Sequence, residues 1–331
     1  MNYQHAVKSL VGDPSKCMGY PPTLVRKKPK HEVSFMLTTK QKGQRESDLA
    51  CSLASHEGIT LEQLQKHAWG LLNPGEEIKA KPVVIICHGN MSWRNQMLLT
   101  NISSESLMRL DAHILRFDFT GNGHSRGGWA KYNYERDYED LIRVIDFVNN
   151  TLGCQVKCII GHSKGAAAAL KYASNNVAKQ ELELEKDAVC KCFVNLSGWY
   201  SDPEVDGSIE NVFKEDEQAE LYLKGFVDLH SPWGGDKVFR ATLQDLSDTV
   251  PDTTKEISYL AKDSSVRVLT IHGEEDEGVP VKCAYRFDEE IANHKLHVIP
   301  EARHNYNGLM FVDEITSEIA RFYESVYDVE S

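Results

Sequence analysis

The chain reads as an α/β protein built on a mostly parallel central sheet with helices on both faces. Short apolar runs bounded by turn residues alternate with longer segments of helical periodicity. Those runs are nearly continuous in Val, Ile, Leu and Cys instead of alternating with polar residues, as strands covered on both faces must be. A third pointer is "GHSKG" at 161–165, a G-x-S-x-G pattern set between an apolar run and a helix-forming stretch.

The expected strands are "VVIIC" (83–87), "HILRFDF" (113–119), "VKCIIG" (156–161), "CFVNLS" (192–197), "VRVLTIHG" (266–273) and "KLHVIP" (295–300). Helices fit between them. "YERDYEDLIRVIDFVNN" (134–150) puts Leu141, Val144, Ile145 and Val148 on one stripe, "GAAAALKYAS" (165–174) is rich in strong helix formers, and "VDEITSEIARFYESVY" (312–327) closes the chain. Upstream, "DLACSLAS" (48–55) and "ITLEQLQKHAWGLLNPG" (59–75) are expected as two antiparallel strands joined near "HEG".

Between 200 and 263 the strand–helix rhythm breaks: acids crowd "EDEQAE" (215–220), and Tyr222, Phe226, Trp233 and Phe239 recur. An insertion of this length is expected as a cap or lid. The organisation predicted is a basic, partly disordered arm over 1–48, including "LVRKKPK" (24–30), a core over 49–199 and 264–331, and a cap over 200–263.

Of the 331 residues, 41% are hydrophobic and 26% charged, and the formal net charge is -12. That sign speaks against nucleic acid as a partner. No apolar run approaches the roughly 18 residues of a membrane span. A cytoplasmic location is expected, with organellar import through the basic N-terminal arm as the alternative. Eight cysteines are present. Cys87 and Cys158 lie in strand-like runs, and the pairs Cys154/Cys158 and Cys190/Cys192 flank or enter strands instead of spacing zinc ligands on turns. Reduced thiols are expected, with no metal and no cofactor. The sequence does not set the oligomeric state.

Two stretches match G-x-S-x-G: "GHSRG" (123–127) and "GHSKG" (161–165). A serine nucleophile on a tight turn must follow a buried strand directly and open a helix, so that its Oγ is exposed with the helix N-terminus beneath. Ser163 has both flanks. Ser125 is separated from its strand and runs into a glycine-rich stretch. A base and an acid are expected on loops after later strands. "IHGEEDEGVP" (271–280) offers Glu274, Glu275, Asp276 and Glu277, and "IPEARHNY" (299–306) offers His304. In "HGN" (88–90) the amide of Asn90, together with that of Lys164, is placed to face a developing oxyanion.

Taken together, "HGN" (88–90), "RFDFTGNGHSRG" (116–127), "GHSKG" (161–165), "VNLSGWY" (194–200), "HGEEDEGVP" (272–280) and "ARHNY" (302–306) resemble the α/β-hydrolase superfamily. The resemblance is narrower to its serine-aminopeptidase-like and cinnamoyl-esterase-like branch, which includes plant esterase/lipase/thioesterase-type proteins. It covers roughly 49–327. It implies the α/β-hydrolase fold with an inserted cap. It also implies that the aspartate of H-G-x-x-D-x-x-V-P, here Asp276, is the triad acid. The family's R-x-D-x-x-G-x-G-x-S pattern falls on Arg116, Asp118, Gly121, Gly123 and Ser125, where it is a structural turn. Asn90 stands where relatives often carry phenylalanine, and Ala166 where they carry glycine.

The activity expected is hydrolysis of small-molecule carboxylic esters through an acyl-enzyme, with Ser163, His304 and Asp276 as the triad. Aromatic residues from Trp199 onward, Trp199 and Tyr200 first, are expected beside the substrate and favour short-chain or aromatic acyl groups. Alternatives on the same triad are a thioesterase and a serine peptidase or amidase. Outside that class stands a ligand-binding receptor or pseudoenzyme on the same fold.

Overall fold

The computed structural model describes residues 3–10, 31–40, 46–73, 75, 77–131, 133–182, 190–201, 213–230, 238–247, 252–262 and 264–327. The elements begin with β1 (Gln4–Ser9), β2 (Glu32–Lys40), β3 (Ser47–Ala54), α1 (Leu61–Trp69), β4 (Pro82–Cys87), α2 (Met97–Arg109) and β5 (His113–Phe117). Then come α3 (Tyr134–Asp146), β6 (Gln155–His162), α4 (Lys164–Glu181), β7 (Cys192–Leu196), α5 (Glu215–Lys224), β8 (Phe226–His230), β9 (Val238–Thr242), α6 (Leu243–Ser247) and α7 (Thr253–Glu256). The chain closes with β10 (Arg267–Gly273), α8 (Lys282–Glu290), β11 (His294–Ile299) and α9 (Leu309–Tyr327).

A nine-stranded sheet runs in the order β1-β2-β3-β5-β4-β6-β7-β10-β11. From β5 to β11 neighbours are parallel; β1, β2, β3 and β5 pair antiparallel. The continuous apolarity of β4 follows from cover on both sides. Val83, Ile85 and Cys87 pack with side chains of α1, α3, α4 and α8, while Val84 and Ile86 pack with those of α2 and α9. Because β4, β6, β7, β10 and β11 are parallel, the loops leaving them gather at one edge of the sheet, where sites of open α/β sheets lie.

Two sequence expectations change here. Within 1–48, expected as an arm, the described residues form β1 and β2, which extend the sheet, and the start of β3 at Ser47. The basic stretch at 24–30 lies outside the described residues. The second expected upstream strand is the helix α1. Thr60 caps it, accepting from Gln63 N at 3.2 Å while Gln63 Oε1 accepts from Thr60 N at 2.9 Å, and Gly70 ends it at φ 64°. This capping box, with Leu64 as the buried contact, outweighs the apolar pattern that suggested a strand. The antiparallel partners of β3 are instead β2 and β5.

Buried charge fastens this edge to the core. Arg94 and Arg116 are both fully buried. Arg116 donates to Glu32 of β2, to the Arg94 carbonyl and, at 3.0 Å, to Asn95 Oδ1. The Arg94 guanidinium pairs with Asp118. Removing one partner of such a set costs roughly 3–5 kcal/mol, because it strands a charge in the interior.

Within 200–263, α5 and the antiparallel hairpin β8–β9 are described; Trp233 lies outside the described residues. Phe213, Leu221, Val227, Leu229, Phe239 and Ala241 form a small apolar cluster with Met91, Trp93 and Trp129. The hairpin alternates cleanly, with Asp228 and Arg240 paired on the outward face at 2.7 and 2.8 Å. All described cysteines are free and buried; Cys17 lies outside the described residues. Among the described residues there is no cluster of three or more His, Cys, Asp or Glu side chains suited to a metal, and no helix is long and apolar enough to cross a membrane.

Candidate active site

Ser163 sits between the last residue of β6 and the first of α4, with φ 53° and ψ -123°. A non-glycine residue in that region carries strain of order 1–3 kcal/mol and persists only when its surroundings hold it. Here Ser163 N donates to Leu196 O at 2.8 Å and Ala166 N donates to Ser163 O at 2.9 Å. The flanking glycines have a steric reason. A Cβ at Gly161 would lie 2.5 Å from Ala166 Cα, and one at Gly165 would lie 2.5 Å from the His88 carbonyl oxygen.

The loop after β4 presses against this turn: a Cβ on Gly89 would come within 3.0 Å of Ser163 Cβ. His88 fixes the loop's path. Its Nε2 accepts from Phe119 N at 3.0 Å, so Nδ1 carries the proton and donates to Gly89 O at 2.7 Å. Burial lowers the pKa of this imidazole, which suits the neutral tautomer. Lys164 opens α4, so its N–H has no acceptor inside the helix. The Asn90 N–H makes no backbone hydrogen bond among the described residues, and Asn90 Oδ1 is buried without a partner.

His304, in the loop after β11, directs Nδ1 at both Asp276 oxygens, 3.0 and 2.8 Å away. Asp276 Oδ1 also accepts from Gly278 N at 2.8 Å and Val279 N at 2.7 Å. Burial opposes ionisation of this carboxyl, but the hydrogen bonds from His272, His304 and the Val279 amide outweigh it and hold the group well below the usual carboxylate range. An ionised Asp276 keeps the proton of His304 on Nδ1 and leaves Nε2 to accept.

The histidine–acid pair is therefore formed. Among the hydrogen bonds of the described residues, Ser163 and His304 are not joined directly. Their segments meet through His162, whose Nε2 donates to the His304 carbonyl at 3.0 Å, with the two rings 5.0 Å apart.

Ser125 has a different environment. Its Oγ donates to Asp118 O at 2.5 Å and accepts from Ala50 N at 2.8 Å, so both capacities go to a structural turn. Gly123 faces the Asp118 carboxylate, which a Cβ would approach to 2.1 Å. Glu274, Glu275 and Glu277 are exposed. Of the two residues expected to line a substrate pocket, Trp199 is 41% exposed and Tyr200 only 4%. The Tyr200 ring meets Phe287 edge-on at 5.1 Å and its hydroxyl pairs with Thr254 Oγ1 at 2.8 Å.

Sequence reasoning did not find the supports of the histidine loop. Gln96 Nε2 donates to Asn305 Oδ1 at 2.8 Å, and Ser92 Oγ donates to Gln96 Oε1 at 2.7 Å. Tyr306, at φ 47°, pairs its hydroxyl with Ser197 Oγ at 2.7 Å and reaches Ile271 O at 3.1 Å. The polar "NY" after His304 is the only local sign of these anchors.

A family model for the alpha/beta hydrolase fold matches residues 82–245. No curated protein sequence matches the chain. Among solved structures, Est1E from Butyrivibrio proteoclasticus with ferulic acid bound is similar at TM-score 0.57 and 18% identity, covering 83% of this chain and 94% of that one. The mouse alpha/beta hydrolase domain-containing protein 10 is similar at TM-score 0.58 and 15% identity, over 88% of this chain and 99% of its own. A monoacylglycerol lipase of Paleococcus ferrophilus is similar at TM-score 0.54 and 15% identity, over 75% of this chain and 96% of its own. Likeness at such identities concerns the fold, and it agrees with the sheet order, the strained serine turn and the family match: the chain has the α/β-hydrolase fold.

Proposed function

We propose that the chain is a serine hydrolase that cleaves carboxylic esters through an acyl-enzyme. The observation that carries the reading is Ser163 at φ 53° between β6 and α4, with the neighbouring His162 bonded to the loop of His304, whose Nδ1 is engaged by an ionised aspartate. In this reading Ser163 Oγ attacks the acyl carbon and His304 Nε2 takes its proton. The backbone amides of Asn90 and Lys164 receive the oxyanion. His304 then returns the proton to the departing alcohol, and water repeats the sequence on the acyl-enzyme. No metal or cofactor enters these steps. Est1E with ferulic acid bound and a monoacylglycerol lipase on the same fold support ester chemistry over the amide and thioester alternatives. Short-chain or aromatic acyl groups are the proposed substrates, with the 200–263 segment as the cap over them. The test is covalent labelling by a fluorophosphonate probe: wild type is expected to label and Ser163→Ala to resist. Equal labelling of the two, or none of wild type, defeats the reading, and the second outcome favours a receptor on the fold.

A further inference from the structure

The residue after the proposed nucleophile is a lysine, and its side chain does not reach for solvent. A lysine at a site edge ordinarily lays its stem along the surface and keeps the ammonium in water. Lys164 Nζ instead lies 2.7 Å from Asp137 Oδ2 and 3.3 Å from the Ala130 carbonyl oxygen, over the face of Tyr134 at 5.1 Å. The two paired side chains are 9% and 4% exposed. Three contacts leave the ammonium little freedom. The post it rests on is also fixed. On one side of Ala130, Trp129 meets Phe239 edge-on at 5.4 Å; on the other, Lys131 N donates to Asp245 Oδ1 at 2.6 Å.

We infer that the Lys164 side chain is a positioning residue: its ammonium, clamped by Asp137 and Ala130, sets the direction of the Lys164 backbone N–H that receives the oxyanion. The inference rests on the serine-hydrolase reading and adds to it a requirement on a side chain that never touches substrate. Its charge is spent on Asp137, so Lys164 offers no cation to an anionic substrate. Its effect is geometric. An oxyanion donor works only when aimed at the place the oxygen occupies in the transition state, and losing one costs about 10²–10³ in kcat. A donor that is retained but misaimed costs less, on the order of 10- to 100-fold.

The test compares wild type with Lys164→Met, which keeps chain length and the backbone amide, and with Lys164→Met/Asp137→Asn, which also removes the carboxylate charge that the first change strands. The readouts are the fluorophosphonate labelling rate, kcat and KM for p-nitrophenyl acetate, and the rate ratio between that ester and its thionoester, whose sulfur accepts amide hydrogen bonds poorly. In both variants kcat and labelling are expected to fall about 10- to 100-fold with KM changed less than about threefold, and the ester/thionoester ratio to fall by about tenfold. A lysine that merely neutralised Asp137 gives another result: the double variant returns to within about twofold of wild type in rate and ratio, and the inference is overturned. If Lys164→Met does not fold, the double variant alone decides. Wild type that neither labels nor hydrolyses esters removes the parent reading and this inference with it, whereas active wild type beside an equally active double variant removes only the inference.

Discussion

His162 Nε2 donates to the main-chain carbonyl of His304 across 3.0 Å, so the residue before the proposed nucleophile braces the loop that carries the proposed base. Burial, with His304 alongside, pushes the His162 imidazole down to about 3. It is therefore neutral in the folded protein across ordinary buffers.

A stability consequence follows from that shift. In the unfolded chain His162 titrates near the ordinary value of about 6.5, so between about 3 and 6.5 the unfolded state binds the extra proton. The histidine's contribution is complete above that window and is lost as pH falls through it, by up to about 1.4 kcal/mol per pH unit. Asp140, raised to about 6 by burial, acts in the opposite sense over part of the range. The measurement is thus a difference: urea unfolding of wild type and His162→Gln at pH 7 and pH 5. The gap between the two is expected to shrink toward pH 5; a constant gap contradicts the assignment.

Ser163→Ala is expected to reduce ester hydrolysis by roughly four to six orders of magnitude with stability little changed. Ser125→Ala removes a hydroxyl bonded to Asp118 O and Ala50 N and should cost about 1–3 kcal/mol of stability while labelling persists. Steady-state rates and denaturant midpoints on the pair separate the two roles; a reversed pattern exchanges them.

For Asp276→Asn the amide oxygen is still able to accept from Gly278 N and Val279 N, so the turn should survive. The amide nitrogen, however, presents a proton to His304 Nδ1 and favours the wrong tautomer. Turnover is expected to drop by up to about 10⁴, with near-native circular dichroism. Glu275→Gln, on an exposed neighbour, should stay within about twofold of wild type. A loss at Glu275 with an active Asp276→Asn relocates the acid.

Measured kcat/KM across acetyl, butyryl, cinnamoyl and palmitoyl esters, with their coenzyme A counterparts, is expected to peak at the short or aromatic acyl groups. Trp199→Ala should alter that profile. Tyr200→Phe should leave it unchanged and cost about 0.5–1.5 kcal/mol, since it deletes only the Thr254 bond. An optimum at palmitoyl or at any coenzyme A thioester refutes the substrate class.

What the sequence revealed divides by how local the cause is. The runs at 83–87 and 156–161 match β4 and β6 to within a residue, because strands covered on both faces are nearly continuous in apolar residues. The serine turn was legible for a similar reason, since its glycines answer to clashes with immediate neighbours. α1 was misread as a strand because a single capping pair, Thr60 and Gln63, decides a helix whose apolar pattern is short. β1, at the edge of the sheet, and β2 beside it escape the sequence reading because about half of their residues are polar and they flank basic sequence. The contacts of Tyr200 with Thr254 and Phe287, distant in the chain, leave no local pattern either. The Gln96–Asn305 bond spans 209 positions and leaves no local pattern at all.

Arg116 reaches back to Glu32, so a shortened chain that keeps Arg116 also has to keep β2. A version cut to the family-matched span 82–245, or begun after β2, would keep every residue of the serine turn yet leave a guanidinium in the sheet without its counter-charge. The amino-terminal strands are thus a counterweight for the interior. Trimming, fusion or circular permutation has to leave Glu32 in place for the hydrolase core to stay assembled.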